Sequence, residues 1–303
     1  MMGRRFSRRL VIGALLAGGA GIVVPGWTWA RTIAHAAQTP PRRIISLVPA
    51  LTEMLYAMGA GPQLVAVSSY DTFPPETAAL PKVGALLDPD VERVLSLTPD
   101  LVAIYGSQSD LRQQLLRASI PIFDYRHAGL PDILTTMRDL GRVTGHAAGA
   151  ETVVVGIERA LAQIRAHTAT RQPQRTLLVF GRAPGALRNL YAAGGKGFLN
   201  DMVAAAGGVN VFADLAQESV QATTELLLTR APDVILEVRE GPVYSDAQVR
   251  QAVSEWSRLA SIPAVKRGRV HVVSGDGLVV PGPRVARAVE RFARALHADA
   301  FAP

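Results

Sequence analysis

The sequence contains no cysteine. That excludes disulfide staples, thiolate nucleophiles and thiolate metal sites, and it denies the chain the processed N-terminal cysteine that a lipid anchor requires. Aromatic residues are only 6% and charged residues 19% of the 303, yet hydrophobic residues reach 49%. Aliphatic side chains and alanine therefore supply a core, wholesale disorder is excluded, and the length suits two domains. Excess positive charge is also scarcer than the formal net of +7 implies. Arg4, Arg5, Arg8, Arg9 and Arg31 fall within the first 36 residues, which carry no acid, leaving 27 basic against 25 acidic groups. A polyanion-binding role, nucleic acid included, loses its electrostatic basis.

A membrane-spanning run is missing too. The apolar stretch from Leu10 to Val24 falls short of the roughly 20 residues a spanning helix needs. It is diluted by Gly13, Gly18, Gly19 and Gly21 and closed by Pro25. With Arg8-Arg9 just ahead of it and Ala34-His35-Ala36 as a small-x-small cleavage site, residues 1–36 read as a twin-arginine export signal. The expected product starts near Ala37 and is free in the periplasm; the general secretory route is the other path to that compartment.

Catalytic signatures are absent as well. The GGKG at 194–197 lacks the glycine a phosphate loop needs at position 190, which is Leu, and the hydroxyl after the lysine, where Gly197 stands. No G-x-S-x-G, H-E-x-x-H or G-x-G-x-x-G motif occurs. The six histidines (His35, His127, His146, His167, His271, His297) are scattered singly, which argues against a preformed metal site, and His271 reads as a packed strand histidine. These absences favour a binding protein without a resident cofactor over an exported α/β enzyme.

What is present is an alternation of apolar strands and amphipathic helices. Strand-like runs occur at 42–48, 64–69, 100–105 and 120–125. Helical patterns intervene after Pro49, where Thr52 is the expected cap and Gly59 the stop, and again at 92–97 and 109–118. A long helical pattern covers 147–171. The alternation then resumes with strands at 175–181, 233–238 and 269–275, a helix ending at Gly207-Gly208, and a terminal helix from about Arg284 to His297. The fold class expected is α/β: two doubly wound lobes of parallel βαβ units, 41–146 and 172–303, joined by one long helix.

Two further patterns bear on function. Glu92 and Glu225 each open a short helix and stand seven residues ahead of a Pro-Asp turn, Pro99-Asp100 and Pro232-Asp233, that feeds a buried strand. Acids favour helix N-termini through the macrodipole, but the matched position in two halves points to a shared role. Tyrosines collect where an open α/β sheet binds small molecules, outside the carboxyl ends of its strands. Tyr70, Tyr105 and Tyr125 follow or end strands, Tyr244 lies just past one, and Tyr191 is expected in a loop. Such a cleft suits a large, partly apolar ligand.

The order RRIISLVPALTEMLYAMGAG, VAVSSYDTFPPE, LPKVGALLDPDVERVLSLTPDLV and GGKGFLNDMVAAAGGVNVF resembles the periplasmic binding proteins of the cobalamin, haem and ferric-siderophore ABC importers across most of residues 42–297. The resemblance implies the class III architecture, two lobes bridged by a long helix with the ligand between them and only modest closure. It also implies that one glutamate per lobe, Glu92 and Glu225 here, docks a permease dimer driven by ATPase subunits, and that the protein is a monomer. SSYDTFPPE is most similar to the cobalamin-binding branch, which assigns Tyr70, Asp276, Tyr105 and Tyr191 to the ligand. Leu86, Ser219 and Val280 replace two tryptophans and an arginine of that branch. A haem ligand would instead use Tyr70 as an axial oxygen, and an anionic siderophore would use arginines such as Arg182. A ligand-sensing subunit would share the same binding physics.

Overall fold

The computed structural model describes residues 39–126 and 128–301. The expected export signal, its cleavage site and His127 lie outside the described residues. The first lobe alternates β1 (Ile44–Ser46), α1 (Pro49–Ala57), β2 (Leu64–Val67), α2 (Val91–Ser96), β3 (Leu101–Tyr105), α3 (Ser109–Arg117) and β4 (Ile122–Tyr125). Its sheet has the order β2-β1-β3-β4, and every pairing is parallel. Helices cover both faces, so β1 is buried throughout. Successive side chains point to opposite faces: Ile45, Val102 and Ile104 pack with Val94, Leu111 and Leu115, while Ile44 and Ala103 pack with α1. That helix starts earlier than expected. Pro49, whose fixed φ suits the first helical position, begins it, so Thr52 is not its cap but a buried interior residue bonded to the Val48 carbonyl at 3.4 Å. Gly59, at φ +92, follows its end as expected.

Two antiparallel-packed helices lead out of this lobe. α4 (Leu130–Thr144) has no counterpart among the helices the sequence pattern predicts; α5 (Ala147–Thr168) is the long helix, about 33 Å at 1.5 Å per residue. Ala150, Val154, Ile157, Leu161, Ile164 and Thr168 form its buried stripe. Near its start it runs so close to the end of α1 that a Cβ on Gly149 would sit 2.2 Å from the Met58 carbonyl oxygen. No helix of the described residues is long and apolar enough to cross a membrane.

The second lobe comprises β5 (Gln174–Gly181), β6 (Leu190–Ala193), α6 (Phe198–Ala205), β7 (Gly208–Asn210), β8 (Ser219–Ala222), α7 (Thr224–Arg230), β9 (Val234–Glu240), α8 (Asp246–Glu255), α9 (Pro263–Lys266), β10 (Val270–Gly275) and α10 (Val285–Leu296). Its sheet runs β10-β9-β5-β6-β8, with β7 also on β5. Here the all-parallel expectation is corrected, because β6 is antiparallel to both β5 and β8. One edge of β5 is shared, with β7 on its first residues and β6 on its last. Tyr191 accordingly sits in strand β6, not in a loop.

One apolar core passes through both lobes: Leu51 and Leu55 of α1, Met137 and Leu140 of α4, Val154 of α5, Met202 of α6 and Phe292 of α10 belong to a single cluster. Two smaller cores cover the outer sheet faces, the second around the fully buried Trp256. A core shared across the lobe boundary resists separation, because parting the lobes would expose apolar surface at about 25 cal/mol per Å².

Candidate functional site

The carboxyl ends of both sheets meet at the lobe boundary, where three contacts fix their approach. Glu53 of α1 accepts a fork of hydrogen bonds from Arg284, just ahead of α10, Nε at 2.8 Å and Nη2 at 2.6 Å. The same guanidinium lies 4.0 Å from the centre of the Phe73 ring. Asp201 of α6 accepts the Leu130 backbone N–H at 2.8 Å, at the first turn of α4. On the second-lobe side, the Glu240 carboxylate at the end of β9 takes the backbone N–H groups of Gly277, Leu278 and Val279. This holds the loop that follows β10. Gly277, at φ +76, is required there, since a Cβ would stand 2.3 Å from Cζ of Arg284.

This boundary is rich in acid. Asp71, in the loop after β2, is 3% exposed, and neither carboxylate oxygen has a hydrogen-bond partner. Burial pushes its pKa up to about 6, reinforced by Glu53; neighbouring Thr52, the Ser68 backbone and Lys82 offset only part of that. Burial also raises Glu53, with Arg284 opposing. The folded state thus holds the Asp71 proton more tightly than the unfolded chain. The contribution of this one group to stability is fully present below the unfolded value near 3.8 and is lost as the pH rises through about 6. Asp71→Asn should therefore stabilise the protein by about 3 kcal/mol at pH 7.5, since each pH unit separating the folded from the unfolded value is worth about 1.36 kcal/mol, with the gain vanishing below pH 4. Urea unfolding at the two pH values checks this; an equal or negative effect at pH 7.5 contradicts it.

Around this floor the aromatic residues distribute as follows. Tyr105 ends β3 half-buried, edge-on to Tyr125 of β4 at 5.5 Å between ring centres, and burial followed by the Asp71 charge raises its phenol pKa. Tyr125 belongs to the core. Tyr70 is 71% exposed, Phe73 40% and Tyr191 42%. Asp276 is exposed in the loop held by Glu240, and half-buried Tyr244 donates its backbone N–H to Ser274 at 2.8 Å. Tyr105 thus lies near Asp71 and Phe73 lies against Arg284, while Tyr244 lies toward α8. Sequence reasoning missed Glu53, Asp71, Phe73, Glu240 and Arg284. Only the SSYDTFPPE segment carried a signal for any of them.

Arg182, expected to meet an anionic chelate, is placed differently. Its side chain is 1% exposed and paired with Glu237 at 3.0 Å and with Glu255. Glu237, fully buried, also accepts from Arg239 at 2.7 Å and from the Trp256 indole at 2.6 Å. The Arg182 charge is already matched within the lobe. His271 is half-buried with Nε2 unpartnered, and burial lowers its pKa. Among the described residues no cluster of three or more His, Asp or Glu side chains is arranged to hold a metal ion.

The two glutamates of the internal repeat occupy equivalent positions. Asp90 caps α2 through the Arg93 N–H at 3.0 Å, and Thr223 caps α7 through the Leu226 N–H at 3.2 Å. Glu92 and Glu225 each stand two residues after the cap, exposed, with no ion pair among the described residues.

Two α/β lobes with a shared core, a bridging helix and a ring-flanked boundary at the strand ends define a two-lobed solute-binding protein. The chain belongs to the periplasmic binding protein family, whose model matches residues 44–276. It is similar to the vitamin B12-binding protein of Pectobacterium atrosepticum, 28% identical over 287 residues that span 91% of this chain and 96% of that one. It is also similar to YvrC of Bacillus subtilis, an uncharacterised ABC transporter substrate-binding lipoprotein, at 30% identity over 86% and 82% of the two chains. Among solved structures, the apo periplasmic heme-binding protein RhuT from Roseiflexus sp. RS-1 superposes with a TM-score of 0.69 at 26% identity, over 86% of this chain and 99% of that one.

Proposed function

We propose that this protein captures a metal chelate, a corrinoid in preference to haem or a ferric siderophore, and delivers it to the permease dimer of an ABC importer. The role is binding, performed by a monomer exported through the twin-arginine signal in residues 1–36. The reading is of a protein without a lipid anchor, supported by the absence of cysteine from the sequence, whereas the Bacillus relative is a lipoprotein. The observation that carries the reading is the set of rings and one acid at or just past strand ends: Tyr70, Phe73, Tyr191 and Asp276 are exposed and Tyr105 is half-buried. Each aromatic contact to a flat macrocycle adds about 0.5–1.5 kcal/mol beyond burial. The vitamin B12-binding relative, which spans nearly the whole chain, supports the corrinoid. Haem is the second reading, favoured by the 71% exposure of Tyr70, whose phenol oxygen is free to approach an iron, and by the similarity to a heme-binding structure.

Glu92 and Glu225 serve as the docking acids. Leu228 lies three residues beyond Glu225 on the same helix face and is 43% exposed, and Leu87, just ahead of α2, is 95% exposed. Each acid thus has an exposed leucine within five residues in sequence, and an interface needs such apolar surface. Release follows from differential affinity: engaging both lobes favours a conformation with weaker ligand contacts. The test is the absorption spectrum of the protein purified from its native periplasm, which distinguishes corrinoid, haem and ferric chelate. A corrinoid spectrum is expected, and Tyr70→Ala should lose the ligand while unfolding at the same temperature as wild type. A colourless protein that binds none of the three rejects the reading.

A further inference from the structure

The second lobe contains a cavity of about 450 Å³ between the loop after β5 and helix α8, lined by Arg182, Arg239, Tyr244, Gln248, Gln251 and Glu255 among others. It lies at the carboxyl ends of β5 and β9. Glu240, next to Arg239 in β9, holds the loop that follows β10, so the cavity and that loop share one end of the sheet. At the lower part of the range for small-molecule pockets, it suits one arm of a chelate and not the whole of it.

Its chemistry is specific. Two guanidiniums, Arg182 and Arg239, are balanced by two carboxylates, Glu237 and Glu255. Nε of Arg182, on a side chain 1% exposed, has no hydrogen-bond partner. A carboxylate entering here would bring a net charge into a site whose charges already cancel, and would shed its water without compensation. A primary carboxamide is neutral. Its oxygen accepts from a guanidinium N–H and its NH₂ donates to a carboxylate, so both halves of the balanced pair are used.

We propose that this cavity binds a primary carboxamide, and that it receives an amide arm of the transported ligand. The second clause rests on the corrinoid reading above, since a corrinoid presents carboxamides at its periphery whereas haem presents carboxylates. The first clause is independent of it. The indole N–H of Trp256, bonded to Glu237 at 2.6 Å, reports on the network. Titrating the protein with propionamide should shift its assigned NMR resonance saturably, with propionate needing at least tenfold more. Ala247→Phe, which fills the mouth from an exposed position on α8, should abolish the shift and weaken cyanocobalamin at least tenfold. Preference for propionate, or no response to either probe, overturns the assignment. Wild-type binding of cyanocobalamin that Ala247→Phe leaves unchanged removes the cavity from the ligand site. A propionamide response without any chelate binding instead defeats the corrinoid reading and leaves the cavity standing.

Discussion

Replacing both proposed docking acids, Glu92→Ala with Glu225→Ala, should abolish ligand uptake in a reconstituted transporter while leaving affinity in free solution within twofold of wild type. Both carboxylates are exposed, unpaired among the described residues and remote in sequence from the tyrosines of the boundary. Removing them therefore disturbs neither fold nor ligand. Each ion pair that becomes desolvated against a permease arginine is worth about 2–5 kcal/mol on truncation. One loss weakens docking by orders of magnitude, and two remove it at periplasmic concentrations. Because each acid sits in the first turn of its helix, a role confined to the macrodipole predicts only about 0.3–1 kcal/mol of stability and no effect on uptake. Uptake equal to wild type would assign docking elsewhere.

Arg284→Ala should produce the largest loss of stability. The substitution strips Glu53, 4% exposed, of both its hydrogen bonds and removes the cation over Phe73. Breaking one side of a buried pair costs about 3–5 kcal/mol, equivalent to roughly 10 °C in melting temperature for a chain of this size. The Glu53→Leu, Arg284→Leu double variant should recover much of this, since no charge is then left buried. Calorimetric melting of the three proteins checks the ordering. Because the pair spans the lobes, the single variant should also become more sensitive to proteolysis at the boundary. A melting temperature unchanged by Arg284→Ala would mean that the lobes are held by the apolar core alone.

The first lobe was legible because its strands are short, mostly apolar runs separated by helices, a pattern that favours parallel βαβ units. The second was less so. The segments of β6, β7 and β8 are three or four residues long and contain Gly, Ala, Ser and Gln as readily as Val. Their pairing is decided by the free edge of β5, which no local periodicity records. Helix α4 escaped because Gly141 interrupts a pattern that tertiary packing nonetheless completes, although Pro131 in its first turn is a start signal. The site divides the same way. The matched, exposed positions of Glu92 and Glu225 were visible through repetition, and the places of the tyrosines near strand ends through the strand pattern. Glu53 and Asp71 were not, since a buried acid in a helix or loop looks like any surface acid until its neighbours are known. Arg182 illustrates the converse: a lone arginine after a strand reads as a partner for an anionic chelate, yet Glu237 and Glu255, more than fifty positions away, already match its charge.

Calorimetric titration of the protein with cyanocobalamin, hemin and ferrichrome, repeated on Tyr70→Ala, is the most direct trial. One cyanocobalamin per protein should bind at least tenfold more tightly than either iron chelate, and the Tyr70 variant should lose that preference while staying folded. Tightest binding of hemin or ferrichrome, or cyanocobalamin affinity untouched by Tyr70→Ala, would contradict a corrinoid held at the strand ends.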